Sequence, residues 1–128
     1  MIAGIHHVSM KCAAAEELER AAAFYTGVLG LSVKRRWSTG ILLDTGCGYI
    51  EIFSTGEGSR ETGAVRHFAL AVDDVDACME KARAAGCELL TGPKDIEMDS
   101  NPPFRARMGF CRGPLGEQIE FFMEYGGD

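Results

Sequence analysis

Two short stretches constrain this chain more than any other feature. In Ile5-His6-His7-Val8-Ser9-Met10-Lys11-Cys12 the residues alternate, so Val8, Met10 and Cys12 fall on one face of a strand and His7, Ser9 and Lys11 on the other. The pattern returns in Arg66-His67-Phe68-Ala69-Leu70-Ala71-Val72, where Phe68, Leu70 and Val72 are apolar and His67 leads the opposite face. A strand with one apolar side must bury it against another layer. Two such strands, 60 positions apart (67 − 7), predict two copies of one folding unit.

The residues after each histidine support that reading. Leu18, Ala22, Tyr25 and Leu29 recur at helical spacing, so a helix is expected over Ala13–Leu29, with Glu16, Glu17, Glu19 and Arg20 on its wet side and Gly30 as its stop. Leu31–Trp37 reads as a strand, and Gly40–Asp44 with Tyr49–Phe53 as a hairpin across Thr45-Gly46-Cys47-Gly48. In the second half, Val65–Val72 is a strand, and Asp73-Asp74 can cap a helix with Val75, Met79, Ala82 and Ala85 on its apolar side. Gly86 ends that helix, and Cys87–Leu90 is the next strand. Gly92–Pro103, with three prolines, reads as irregular. Arg105–Arg112 and Gln118–Glu124 form a hairpin across Gly113-Pro114-Leu115-Gly116. The expected fold is therefore α+β: two βαβββ modules, whose mixed sheets would form a cup if they curve. They are expected within a single domain, 1–128, as module one (1–54), a glycine-rich linker (55–64) and module two (65–125).

Composition excludes several function classes. A net charge of −6 over 128 residues argues against a nucleic-acid partner and against an anionic membrane surface. The most apolar run, Ala21–Leu31, is broken by Thr26, Gly27 and Gly30 and is too short to span a bilayer. The N-terminus has no basic stretch followed by an apolar core, so a cytoplasmic location is expected. The five cysteines are odd in number and include no CxxC pair, which fits reduced, mostly buried thiols.

Chemistry concentrates at four positions. Glu51 lies opposite Ile50 and Ile52 on its strand, and Glu120 lies opposite Ile119, Phe121 and Met123. Each half thus supplies a histidine and a glutamate on the face away from the helices. If the sheets curve, the four side chains converge. Two imidazoles and two carboxylates suit a divalent first-row ion with positions left for water or substrate.

With those residues in view, the chain resembles the vicinal oxygen chelate superfamily, which includes glyoxalase I, extradiol dioxygenases, methylmalonyl-CoA epimerase and the fosfomycin and bleomycin resistance proteins. The resemblance rests on His7-Val8-Ser9-Met10, Phe24-Tyr25 with Leu29-Gly30-Leu31, Ile50-Glu51-Ile52, His67-Phe68-Ala69-Leu70, and Gly113-Pro114-Leu115-Gly116 before Ile119-Glu120-Phe121. It implies that His7, Glu51, His67 and Glu120 are ligands of one divalent ion per site (Ni, Zn, Co or Mn). A set of four such ligands is similar to that of glyoxalase I-like lyases and isomerases, which move a proton between adjacent carbons of a small α-oxygenated substrate through an enediolate. By the same resemblance Glu120 would be the main base and Glu51 its counterpart. The chain would be a homodimer, each site taking His7 and Glu51 from one chain and His67 and Glu120 from the other. An epimerase, an extradiol-type dioxygenase, or a protein that sequesters a drug without catalysis are the other activities the resemblance leaves open.

Three further features bear on a substrate. Lys11 lies on the face of His7, where glyoxalase I-like proteins often place an Arg that holds a carboxylate; a solvated strand-end lysine is the plain alternative. Arg105 and Arg107 share one face of their strand and could hold an anionic substrate or simply line a wet edge. Trp37 and Phe53 either wall a pocket or pack in the core.

Overall fold

The structure, a computed structural model, describes residues 1, 3–56 and 65–126. Most of the expected linker, 57–64, lies outside the described residues. The chain divides into two compact units, Met1–Arg60 and Glu61–Asp128.

Unit 1 begins with β1 (His7–Lys11), followed by α1 (Ala15–Ala23), β2 (Ser32–Trp37), β3 (Gly40–Asp44) and β4 (Tyr49–Phe53). The strands form one mixed sheet in the order β1-β4-β3-β2, with β1 parallel to β4 and the other neighbours antiparallel. The expected helix over Ala13–Leu29 is shorter and changes type. α1 ends at Ala23, and Phe24–Val28 forms a π-helical turn closed by the Leu29 amide donating to the Phe24 carbonyl at 3.2 Å. A local competitor explains the change: the Thr26 hydroxyl donates to the Ala22 carbonyl at 2.7 Å, the oxygen that an α-helical amide four residues on would use. Gly30, at φ +78°, then takes the left-handed conformation that stops the element.

Alternation holds on the sheet. Ile50 and Ile52 are 2% and 0% exposed, and they share a core with Leu18, Tyr25, Ile41 and Leu43. Each such side chain contributes about 1.5–3 kcal/mol by leaving water. The β3–β4 turn is fixed locally. The Asp44 carboxylate accepts from the Gly46 amide at 2.7 Å, and Gly46 sits at φ +103°.

Unit 2 repeats the order with β5 (Phe68–Ala71), α2 (Val75–Ala84), β6 (Leu89–Met98), β7 (Phe104–Arg112) and β8 (Gln118–Glu124), arranged β5-β8-β7-β6. Here too the first and last strands are parallel and the rest antiparallel. Asp74 caps α2 by accepting from the Ala77 amide at 3.0 Å. Val75, Met79 and Ala82 are buried as expected, but Ala85 is exposed because it forms the helix C-cap rather than another turn. Gly109 lets α2 approach β7, since a Cβ there would lie 2.7 Å from the Met79 sulfur.

Two strand boundaries depart from the sequence reading. β5 covers only Phe68–Ala71, so His67 stands just before it. The stretch from Gly92 onward is not irregular throughout: β6 starts at Leu89 and continues through Pro93 to Met98. The reason is position. β6 is the edge strand, with register shifts at Leu89/Thr91 and Thr91/Lys94, and an edge tolerates a proline that cannot donate a ladder hydrogen bond. All five cysteines are free thiols. Cys12 and Cys111 are buried, and burial pushes the Cys111 thiol up to about 12, whereas Cys47 is exposed, against the expectation of a mostly buried set.

Candidate metal centre

In unit 1 the parallel β1–β4 register sets Ser9 beside Glu51 and His7 beside Tyr49. His7 and Glu51 therefore share a face, away from Ile50 and Ile52. The His7 Nε2 lies 3.6 Å from the Glu51 Oε1, with the side chains 40% and 20% exposed. Unit 2 builds the same pair in the same way: the β5–β8 register sets Ala69 beside Glu120, and His67 Nε2 lies 3.2 Å from Glu120 Oε1. Glu120 is the buried charged residue among the described residues, at 9% exposure. Phe110, in register with Glu120, sets its ring edge to face against His67 with centroids 4.9 Å apart.

The donors suit a divalent ion. Two ligands each about 2.1 Å from one ion at 90–110° lie about 3.0–3.4 Å apart. The pair at 3.2 Å falls inside that span and the pair at 3.6 Å lies slightly beyond it, within reach of a small side-chain rotation. An imidazole and a carboxylate held this close, without a hydrogen-bonding third side chain between them, form half of a nitrogen-and-oxygen ligand set. Among the described residues no group of three or more His, Cys, Asp or Glu side chains gathers, so each unit by itself offers two donors.

The other expected site residues divide. Lys11 shares the His7 face, in register with Phe53, and its stem is covered by Gly56, where a Cβ would sit 2.5 Å from the lysine Cβ. On the same row, Phe53 is in register with Gly40 and Gly40 with Trp37. The indole lies over Gly40, where a Cβ would come within 2.5 Å of the ring, and meets the Phe53 ring at 5.4 Å between centroids. Both aromatic side chains are half-buried on the face that carries Glu51 rather than in the core.

Arg107 does not belong to this constellation, contrary to the expectation of a substrate contact. It sits on the opposite face of β7 from Phe110, alternating with it, and clasps the Asp76 carboxylate of α2 with two hydrogen bonds of 2.5 and 2.8 Å. A third, at 3.1 Å, goes to Asp95 on β6, which also accepts from the Tyr125 hydroxyl at 2.7 Å. Arg107 holds the Asp76 carboxyl below its usual range, while the Tyr125 hydroxyl and then Arg107 do the same for Asp95. Arg105 shares that outer face, 3.6 Å from Glu97 and over the Tyr125 ring. Strand parity showed that the two arginines share a side but not which side; the β7–β8 register, which puts Phe110 beside Glu120, decides it.

Two neighbours of the histidines were not singled out from sequence. His6 Nδ1 lies 3.0 Å from His7 Nδ1, and the His6 ring packs against Tyr49 at 5.0 Å. Alternation places His6 on the wrong face, but it precedes β1 and is not bound by the pleat. Phe110 could have been found from the hairpin: pairing Arg112 with Gln118 across the turn fixes Phe110 opposite Glu120.

Comparison with known proteins places this geometry in a class. Residues 4–121 match the family model of the Glyoxalase/Bleomycin resistance protein/Dioxygenase superfamily, and the chain belongs to that superfamily. Solved structures share the fold. One is a lactoylglutathione lyase from Agrobacterium tumefaciens (18% identity, all of both chains, TM-score 0.68). Another is a glyoxalase/bleomycin resistance protein/dioxygenase from Alicyclobacillus acidocaldarius (20% identity, 96% of this chain and 92% of that one, TM-score 0.68). A third is an integron cassette protein from the mobile metagenome of a Halifax Harbour sewage outfall (20% identity, 95% and 99%, TM-score 0.72). No curated protein matches the sequence significantly. Among the described residues no helix is long and apolar enough to cross a membrane.

Proposed function

We propose that this chain is a metal-dependent lyase or isomerase of glyoxalase I type, acting on a small α-oxygenated substrate. The observation that carries the reading is the repeated His–Glu pair, with donor atoms 3.6 and 3.2 Å apart at equivalent register positions of the two sheets. His7, Glu51, His67 and Glu120 would hold the ion, one per site and of Ni, Zn, Co or Mn type. Such an ion supplies Lewis acidity, neutralising charge that develops on the substrate's oxygens.

The chain's own residues then carry the proton. The Glu120 carboxylate takes the proton of the carbon next to the carbonyl, and the electron pair of that C–H bond becomes the enediolate double bond. Returning the same proton to the neighbouring carbon, while the hydroxyl proton passes from one substrate oxygen to the other, completes the isomerisation and restores the carboxylate. The Phe110 ring and the near-complete burial of Glu120 keep bulk water from exchanging that proton. Glu51, more exposed, is the counterpart on the other side. Lys11, with Trp37 and Phe53 on its row, fits an anionic substrate that carries an apolar group. We further propose a homodimer in which the pair of one chain completes the pair of the other. Each unit supplies one His–Glu pair, so a four-donor site needs two units to meet, and in this assembly they come from different chains.

The test combines metal analysis of the purified protein with a screen in D2O of hemithioacetals and α-carbonyl acids, reading product and deuterium at carbon. Product that largely retains the substrate's own hydrogen supports a shielded carboxylate. Oxygen uptake without proton transfer would make the chain a dioxygenase instead. Metal binding with no turnover of any candidate would favour sequestration.

A further inference from the structure

Resting on the metal reading above, the geometry points to His6 as a positioning residue for His7, one that fixes which ring nitrogen of His7 is offered to the ion. A neutral imidazole has one N–H and one lone pair, and binding through Nε2 requires the proton to be on Nδ1. That Nδ1–H needs an acceptor, because the hydrogen bond on the far nitrogen sets both ring orientation and donor strength. In this chain the acceptor is another imidazole: His6 Nδ1 lies 3.0 Å from His7 Nδ1, the two rings crossing at 86°. Such a bond turns the His7 Nε2 lone pair toward Glu51, whose Oε1 is 3.6 Å away.

His6 is itself held in place. Its carbonyl accepts from the Tyr49 amide at 3.0 Å, and its ring packs against Tyr49 with centroids 5.0 Å apart. Tyr49 is the first residue of β4 and Glu51 stands two places along the same strand, so one strand fixes both the carboxylate and the imidazole's acceptor. The other flank of His6 borders a surface cavity of about 330 Å³ with Asp44 and Cys47, and its side chain is exposed. Replacing it removes little packing.

Unit 2 uses a different device. The residue before His67 is Arg66, and His67 is steadied by the Phe110 ring rather than by a second imidazole. The two histidines are thus positioned by unlike neighbours although their glutamate partners are equivalent.

The experiment is a titration of the metal-free full-length protein with Zn2+ against a chromophoric chelator, using wild type, His6→Ala, His6→Asn and His7→Ala. The expected result is a loss of about 10–100-fold in Zn2+ affinity for His6→Ala. Affinity close to wild type is expected for His6→Asn, whose Oδ1 can accept where Nδ1 did. In the Zn2+-loaded protein, ¹⁵N-resolved NMR should show a slowly exchanging His7 Nδ1–H in wild type and His6→Asn, and lose it in His6→Ala. Circular dichroism checks that each variant is folded. Undiminished Zn2+ affinity in His6→Ala, alongside a clear loss in His7→Ala, would overturn the positioning role while leaving the metal reading intact. A folded His6→Asn as weak as His6→Ala would overturn it too. Failure of the wild-type protein to bind Zn2+, Ni2+, Co2+ or Mn2+ would overturn the metal reading and this inference with it.

Discussion

The two units build one His–Glu pair from the same strand order, yet they surround it with different chemistry. Beside Glu51 stand Ser9 and Leu42; beside Glu120 stand Ala69 and Phe110. Two places further along, unit 1 offers Lys11 where unit 2 has Ala71, and Gly40 where unit 2 has Met108. Glu51 keeps 20% of its side chain exposed and Glu120 only 11%. Register fixes where the donors stand and leaves their neighbours free to diverge. One unit's face carries a lysine beside aromatic rings, and the other's is apolar around its glutamate.

The largest expected effect that would sharpen this comparison is catalytic. Glu120→Gln should lower kcat by about 10²–10⁴-fold with little change in KM, because the amide can still coordinate through oxygen but cannot take a proton. Glu51→Gln should cost much less, and steady-state kinetics that reverse the order would assign the base to unit 1. Next comes assembly. Glu51→Ala and Glu120→Ala chains should each be inactive, and mixing them after mild unfolding should restore activity. A shared-site heterodimer carries both defects in one site and none in the other, so recovery can approach about half per heterodimer. No recovery would mean that all four donors belong to one chain.

A smaller effect separates the faces through their glycines. Gly109→Ala drives a methyl group toward Met79 in the core of unit 2 and should lower unfolding stability by about 1–3 kcal/mol. Gly40→Ala strikes the Trp37 ring instead. Trp37 is half-buried and can lift away, so stability should fall less while the emission of the single tryptophan shifts to the red. Equal stability losses without a spectral shift would show that Trp37 is packed as tightly as a core residue.

The smallest effect concerns acid. Asp76 and Asp95 are held below the ordinary aspartate value of 3.8, so their contribution to unit 2 is fully present above pH 3.8 and is lost as pH falls through the lowered values. Hydrogen-exchange protection along α2 and β6, corrected for the intrinsic rates, should therefore fall below about pH 4 in wild type, and Arg107→Gln should remove most of that pH dependence. A wild-type profile that is flat down to pH 2 would exclude this network as an acid-sensitive tie.

Much of this was legible in the residues. Alternation around His7, Glu51, His67 and Glu120 is a property of strands alone, and helix periodicity located Leu18, Val75 and Met79 correctly as buried. What escaped was whatever depended on pairing between elements. Pro93 argued against a strand until β6 proved to be an edge, and Arg107 was assigned toward substrate because parity shows sameness of side, not identity of side. The π-helical turn at Phe24–Val28 depends on one hydroxyl outcompeting an amide, a contest between nearly equal hydrogen bonds that periodicity does not register.

Trp37 lying over Gly40 has a historical consequence. The indole occupies the volume that any other residue's Cβ would need at position 40, so a change at one of the two positions is felt at the other. A lineage that first replaces the glycine must swing the indole aside, whereas one that first trades the tryptophan for a smaller side chain opens position 40 without that displacement. The order of change at the aromatic wall next to Lys11 therefore matters: while the indole lies over position 40 a glycine there costs least, and once the indole is lost that end of the face can be rebuilt with larger side chains.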